Sequence, residues 1–191
     1  MTRGAWVLDA KQSFVEAVRT IIPSMYDQFL SRADTVIHHP RLTGELHRMR
    51  IDGKPLRYLM ELFEDRFKAP FGECLKEIKN LIELMGAIHD CDVMIPMMQS
   101  HLQEVRFFNK SAGKRGGKFS TAGILELIRR QRSERMKSFQ QLCDTLRMWE
   151  SENFRDRLVH SLQLNDDPVN QNHHIPLTTH GNLHLASRTG S

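Results

Sequence analysis

Cysteine is scarce in this chain: Cys74, Cys91 and Cys143 stand far apart among 191 residues. An odd, scattered set embedded in apolar helical patterns excludes a disulfide framework and a thiolate zinc site, so all three are expected as core thiols. Aromatic residues make up only 7% of the chain, which leaves few platforms on which nucleobases could stack. No apolar run approaches the roughly 18 residues that a membrane span needs, which excludes an integral membrane protein of that kind. The first ten residues hold a single Arg3 and no apolar stretch of about 7 to 15 residues, so they do not read as a secretory signal, and the expected compartment is the cytoplasm. Period-two alternation is also missing, and no strand is expected.

What is present is helical. The charged fraction of 26% and hydrophobic fraction of 40% are ordinary for a globular domain, and 27 Lys and Arg against 23 Asp and Glu give a net charge of +4, a bias toward anionic partners. Apolar residues recur at 3.6-residue spacing almost throughout, which predicts an all-α fold: an antiparallel bundle of about four long helices, some kinked or broken at Pro23, Pro55, Gly86 and Pro96. The first is predicted from an N-cap at Asp9 to about His38, the second from about Leu46 to Phe67 with Thr43 as a cap. A third runs from Glu73 to a break at Gly86, and a fourth from about Asp90 to Phe108. A long last helix follows Ser120 and Thr121 and reaches Leu158. Residues 1–164 are thus expected as the bundle, and 165–191, rich in Asn, His, Thr, Ser and Gly, as a polar mobile tail.

The informative segment is Leu46 to Phe63. At 100° per residue, His47, Arg50, Lys54 and Arg57 fall within an arc of about 80°, while Met49, Leu56, Met60 and Phe63 gather on the opposite side. One helix thereby separates packing from charge. Glu61, four residues after Arg57, can neutralise part of the strip, but Arg50 and Lys54 have no acidic residue three or four positions ahead. Mutually repelling cations favour an external anion: Arg grips phosphate oxygens with its fork, Lys supplies a mobile charge, and a protonated His donates from both ring nitrogens.

Further cations extend the candidate surface if the helices converge: Lys76 and Lys79 on the third helix, Arg132 and Arg135 on the last. The stretch Gly113 to Lys118 resembles an anion-binding turn in composition only, because Lys118 is followed by Phe119 and not by the Ser or Thr of a P-loop. His38-His39 and His173-His174 are adjacent pairs expected to be solvated. Asp90 and Asp92 project about 200° apart on a helix and cannot share one ion, so a place near a helix start is the simpler expectation. The methionines at 94, 97 and 98 are expected as core filler. No nucleophile, base and orienting group come together, so no catalytic residue, metal or cofactor is assigned.

Two motifs resemble the CHAD family, the histidine-containing α-helical domains associated with inorganic polyphosphate. The first is Leu46-His47-Arg48-Met49-Arg50-Ile51 followed by Lys54, Leu56, Arg57, Tyr58, Leu59, Glu61, Leu62 and Phe63; the second is Leu84-Met85-Gly86 running into His89-Asp90-Cys91-Asp92-Val93. The likeness extends loosely from about residue 10 to 162. It implies a helical bundle that binds polyphosphate without catalysis, with His47, Arg50, Lys54 and Arg57 as contacts and Lys76, Lys79, Arg132 and Arg135 as further candidates. Family domains usually pair two four-helix units, and this chain resembles the second alone; a homodimer would restore the pair. Pro55 stands where the family commonly has a basic or helix-favouring residue. The alternatives are a scaffold for a partner protein and, less favoured, a nucleic-acid binder.

Overall fold

The computed structural model describes residues 14–112 and 117–164. Six α-helices follow in order: α1 (Phe14–Leu30), α2 (Ala33–His38), α3 (Thr43–Phe63), α4 (Ala69–Ser111), α5 (Ala122–Ser151) and α6 (Phe154–Gln163), with a single 3-10 turn, Glu64–Arg66, between α3 and α4. No strand occurs among the described residues. Contacts across the helix pairs run in opposite chain directions: Phe29 meets Gly53, Arg50 lies at Gly86, His47 at His89, and Trp149 reaches Glu77. The expected all-α antiparallel bundle is what forms.

Boundaries differ where local signals compete with packing. Pro23, Pro55 and Pro96 all lie inside uninterrupted helices; each removes one backbone hydrogen bond, and the buried faces on either side hold the helix together. The first helical stretch ends instead at Leu30, where Ser31 bonds back to the carbonyl of Gln28, and α2 is a separate short helix. The third and fourth predicted stretches are one helix of 43 residues, α4, which passes through Gly86. Asp90 and Asp92 therefore lie deep inside a helix rather than at its start. The long last helix breaks at Asn153, whose φ of 50° places it in the left-handed region that Asn tolerates, so that α6 turns back onto the bundle. Thr43 is the first residue of α3, and Leu42 precedes it without a side-chain cap. The predicted cap at Asp9, the turn Gly113 to Gly116 and the tail 165–191 lie outside the described residues.

The core gathers Ile22 and Phe29 from α1, Met49, Leu56 and Met60 from α3, Phe71, Leu75, Ile78 and Met85 from α4, and Leu142 and Trp149 from α5. Trp149 stacks on Phe154 of α6 with ring centroids 4.1 Å apart, and its indole N–H donates to Glu77 at 3.0 Å. All three cysteines are free and buried, and burial pushes each thiol upward, which keeps it protonated and inert. At 1.5 Å per residue α4 spans about 65 Å, roughly twice α3, so its C-terminal part pairs chiefly with α5. This two-helix arm has its own small cluster of Met98, Leu102 and Ile128. Met98 is core filler as expected, whereas Met94 and Met97 are exposed. Near the tip, Asn109 clamps the backbone of Phe119 with two hydrogen bonds of 2.8 Å.

Candidate functional site: a cationic cleft between α3 and α4

The apolar face of α3 seats the helix and fixes which way its cations point. Leu46, Met49, Leu56, Met60 and Phe63 are at most 6% exposed. Gly53 allows the close approach: a Cβ there would stand 2.7 Å from the Phe29 ring and 3.2 Å from Ile82. With that face docked, Arg50, Lys54, Arg57 and Tyr58 line one wall of a cleft of about 450 Å³, and Ile82, Glu83, Gly86, Ala87 and Asp90 of α4 line the other.

Gly86 provides the floor. The Arg50 guanidinium lies across it, with Nε 3.4 Å from where a Cβ would be. That Nε is buried with no hydrogen-bond partner, as are Nε of Arg57 and Nδ1 of His47. Three donor or acceptor atoms of one strip are thus desolvated and unsatisfied, an arrangement that folding alone disfavours. Arg50 and Lys54 take part in no ion pair among the described residues.

Arg57 is partly neutralised, since its Nε stands 3.6 Å from Glu61 and its guanidinium lies over the Tyr58 ring at 4.8 Å. Lys79 approaches the same Glu61 oxygen at 3.4 Å and Glu64 at 3.9 Å. Lys76 is exposed and falls on the same side of α4 as Lys79, Glu83 and Asp90, within about 60°. At the other end of the strip His47 packs against His89 with ring centroids 4.5 Å apart.

The two α5 residues are not brought to the cleft. Arg135 is committed to Asp92 and to the carbonyl of Pro40, where it ties the α2–α3 connection to the base of the arm. Arg132 borders a separate shallow groove with Met136, Lys137 and Gln140. Sequence reasoning missed Glu83, Gly86 and Asp90 as cleft residues. Their spacing, three or four residues apart along one helix face, was the available signal, but it is visible only if α4 continues through Gly86. Among the described residues no group of three or more His, Cys, Asp or Glu could hold a metal ion. No helix of the described residues is long and apolar enough to cross a membrane.

The family model for the CHAD domain matches residues 3–99, a little over half of the chain, and takes in both walls of the cleft. No curated protein and no solved structure matches significantly.

Proposed function

The chain belongs to the CHAD domain family, and on that premise we propose that it binds inorganic polyphosphate, or a polyanion of similar spacing, in the cytoplasm and without catalysis. The observation that carries this reading is Arg50: its guanidinium is laid over Gly86, its Nε is buried without a partner, and Lys54 beside it is unpaired as well. A chain of phosphates along the cleft would pair Arg50, Lys54 and Arg57 with successive anionic oxygens, and Lys79 and Lys76 would extend the track along α4. Binding of this kind gains much of its free energy from released counterions and weakens steeply with salt.

Calorimetric titration with polyphosphate of defined length tests it. Raising salt from about 50 to 200 mM should weaken binding by at least tenfold if several phosphates are contacted. The double variant Arg50→Glu, Arg57→Glu, with helicity intact, should lose at least as much. Unchanged affinity in a folded double variant removes the strip from the function.

A second reading is self-association through the arm, alone or beside polyanion binding. It is favoured by Val93, Met94, Met97, Phe107 and Phe108, which are 39% to 74% exposed on α4 although large and apolar. A mass measurement with and without polyphosphate separates the two: a scaffold dimerises regardless of ligand. Nucleic acid is the weaker ligand class, because among the described residues Tyr58 is the one aromatic side chain lining the cleft; short RNA that competes as well as long polyphosphate would favour it.

A further inference from the structure

Past Arg57 the cationic strip of α3 runs into a carboxylate. Oε1 of Glu61 stands 3.6 Å from Nε of Arg57 and 3.4 Å from Nζ of Lys79, so a single acidic oxygen is shared between a cation of α3 and a cation of α4. Both contacts are loose. The arginines that tie α6 down sit much closer to their partners: Arg155 donates to Asp27 at 2.7 and 2.8 Å, and Arg157 to Glu77 at 2.8 and 2.9 Å. Among the described residues the Glu61 carboxylate accepts no hydrogen bond, and Nε of Arg57 stays buried and unsatisfied beside it. We propose that Glu61 is a built-in competitor of the ligand: its carboxylate takes the place of a phosphate between Arg57 and Lys79, and any chain that runs on past Lys54 must displace it. Glu61 therefore sets how much affinity the cleft gains from chain length. The inference rests on the polyanion reading of the same cleft.

Reach along the helix divides the strip in two. Arg50 and Lys54 lie about 6 Å apart along α3, and Arg50 and Arg57 about 10 Å. Triphosphate can join the first two cations, which have no ion pair of their own. A longer chain that continues toward Lys79 arrives where Glu61 stands, and two anions cannot hold the same place at close range.

What the chain breaks there is weak. The side chains of Arg57, Lys79 and Glu61 are between 24% and 36% exposed, and loose pairs open to solvent contribute little. A phosphate in the same place offers the Arg57 fork and the Lys79 ammonium the charge-assisted hydrogen bonds that Glu61 does not make. The Tyr58 ring, 4.8 Å from the Arg57 guanidinium, supports that group on its other contact. Glu64, at 3.9 Å, is the remaining acidic group beside Lys79. A chain already held by Arg50 and Lys54 presents its next phosphates at high local concentration, so it displaces Glu61 where a free phosphate from dilute solution does not. The long chain binds, but with part of its gain returned.

The full chain is titrated calorimetrically with triphosphate and with long-chain polyphosphate at one salt concentration, as wild type, Glu61→Gln and Asp65→Asn. Glu61→Gln should tighten the long chain by about threefold to tenfold, the effect of no longer giving up two exposed ion pairs, and triphosphate by less than about twofold. Asp65 is an exposed carboxylate one turn further on, in no ion pair among the described residues, and Asp65→Asn should move neither ligand by more than about twofold. Equal tightening of both ligands by Glu61→Gln, or the same gain in Asp65→Asn, would mean that Glu61 acts only as general negative charge, and overturns the inference. A Glu61→Gln protein that binds the long chain no better than wild type overturns it too. In each of these cases polyanion binding itself stands. Failure of wild type and variants to bind either ligand overturns both readings. Glu61→Ala, with the better helix former at the same position, repeats the measurement if the glutamine variant fails to fold.

Discussion

Where α4 and α5 run beside α3 and α6, their inner faces meet around Phe71, Leu142 and Trp149, none more than 2% exposed. Where the same two helices continue into the arm, the buried cluster among the described residues is Met98, Leu102 and Ile128, and Phe107, Phe108, Phe119, Leu125, Leu127 and Met136 remain between 44% and 74% exposed. A helix acquires a core only when its apolar stripe has something to lie against, and two helices supply one seam between them while the bundle supplies several. The cleft sits on the well-supported side of that divide. Its arginines are held by a helix that packing has locked, which gives a binding strip fixed geometry.

The sharpest way to break the contrast is a matched pair of truncations. Phe71→Ala should destabilise by about 3–5 kcal/mol in urea unfolding, whereas Met98→Ala in the arm should cost about 2 kcal/mol or less, since a thin cluster can collapse around the gap. Equal losses would mean that the arm is packed as firmly as the body.

Two glycines sharpen the difference between packing and binding within the body itself. Gly53→Ala drives a methyl to 2.7 Å from the Phe29 ring and should lower stability by about 1–3 kcal/mol. Gly86→Ala meets only the flexible end of Arg50 at 3.4 Å or more, and with the better helix propensity of Ala it should raise stability by up to about 1 kcal/mol. Thermal melts of both variants read the two signs directly; the same sign for both would show that Gly86 is a packing position.

The smallest effect belongs to the arm's surface. The Arg129 guanidinium beside Glu126, with Arg130 behind it, holds that carboxyl down at about 2. A depressed carboxylate contributes at neutral pH and above, and its contribution fades as pH falls from the ordinary carboxylate range of 4.5 through about 2. Open to solvent on the arginine side, the cluster is screened by salt. Glu126→Gln should therefore flatten the acid limb of amide-exchange protection in the first turns of α5, while leaving the amides around Phe71 unmoved.

Much of this was legible beforehand. The two faces of α3 could be assigned from Leu46 to Phe63 alone, and Met49, Leu56, Met60 and Phe63 are buried as their spacing required. The three cysteines went inside, and Met98 with them. Gly86 was misread as a helix end because glycine has little helix propensity of its own; Ile82, Met85 and Ile88, buried on either side of it, hold α4 helical through that position. Asp92 looked like a helix-dipole partner until Arg135, 43 positions away, claimed it. Asn153 carried a signal, a residue tolerant of positive φ, but nothing nearby said that the chain would use it there.

The amino-acid order alone settled that this chain is helical and that α3 carries its cations on the side away from its apolar stripe, because a period of 3.6 residues is a property of the backbone and needs no partner. Only the tertiary structure decided which cations stay unpaired, that Arg50 rests on Gly86, and that His47 meets His89. Those facts depend on the register between helices far apart in the chain, which many small side-chain contacts fix together and no single segment encodes.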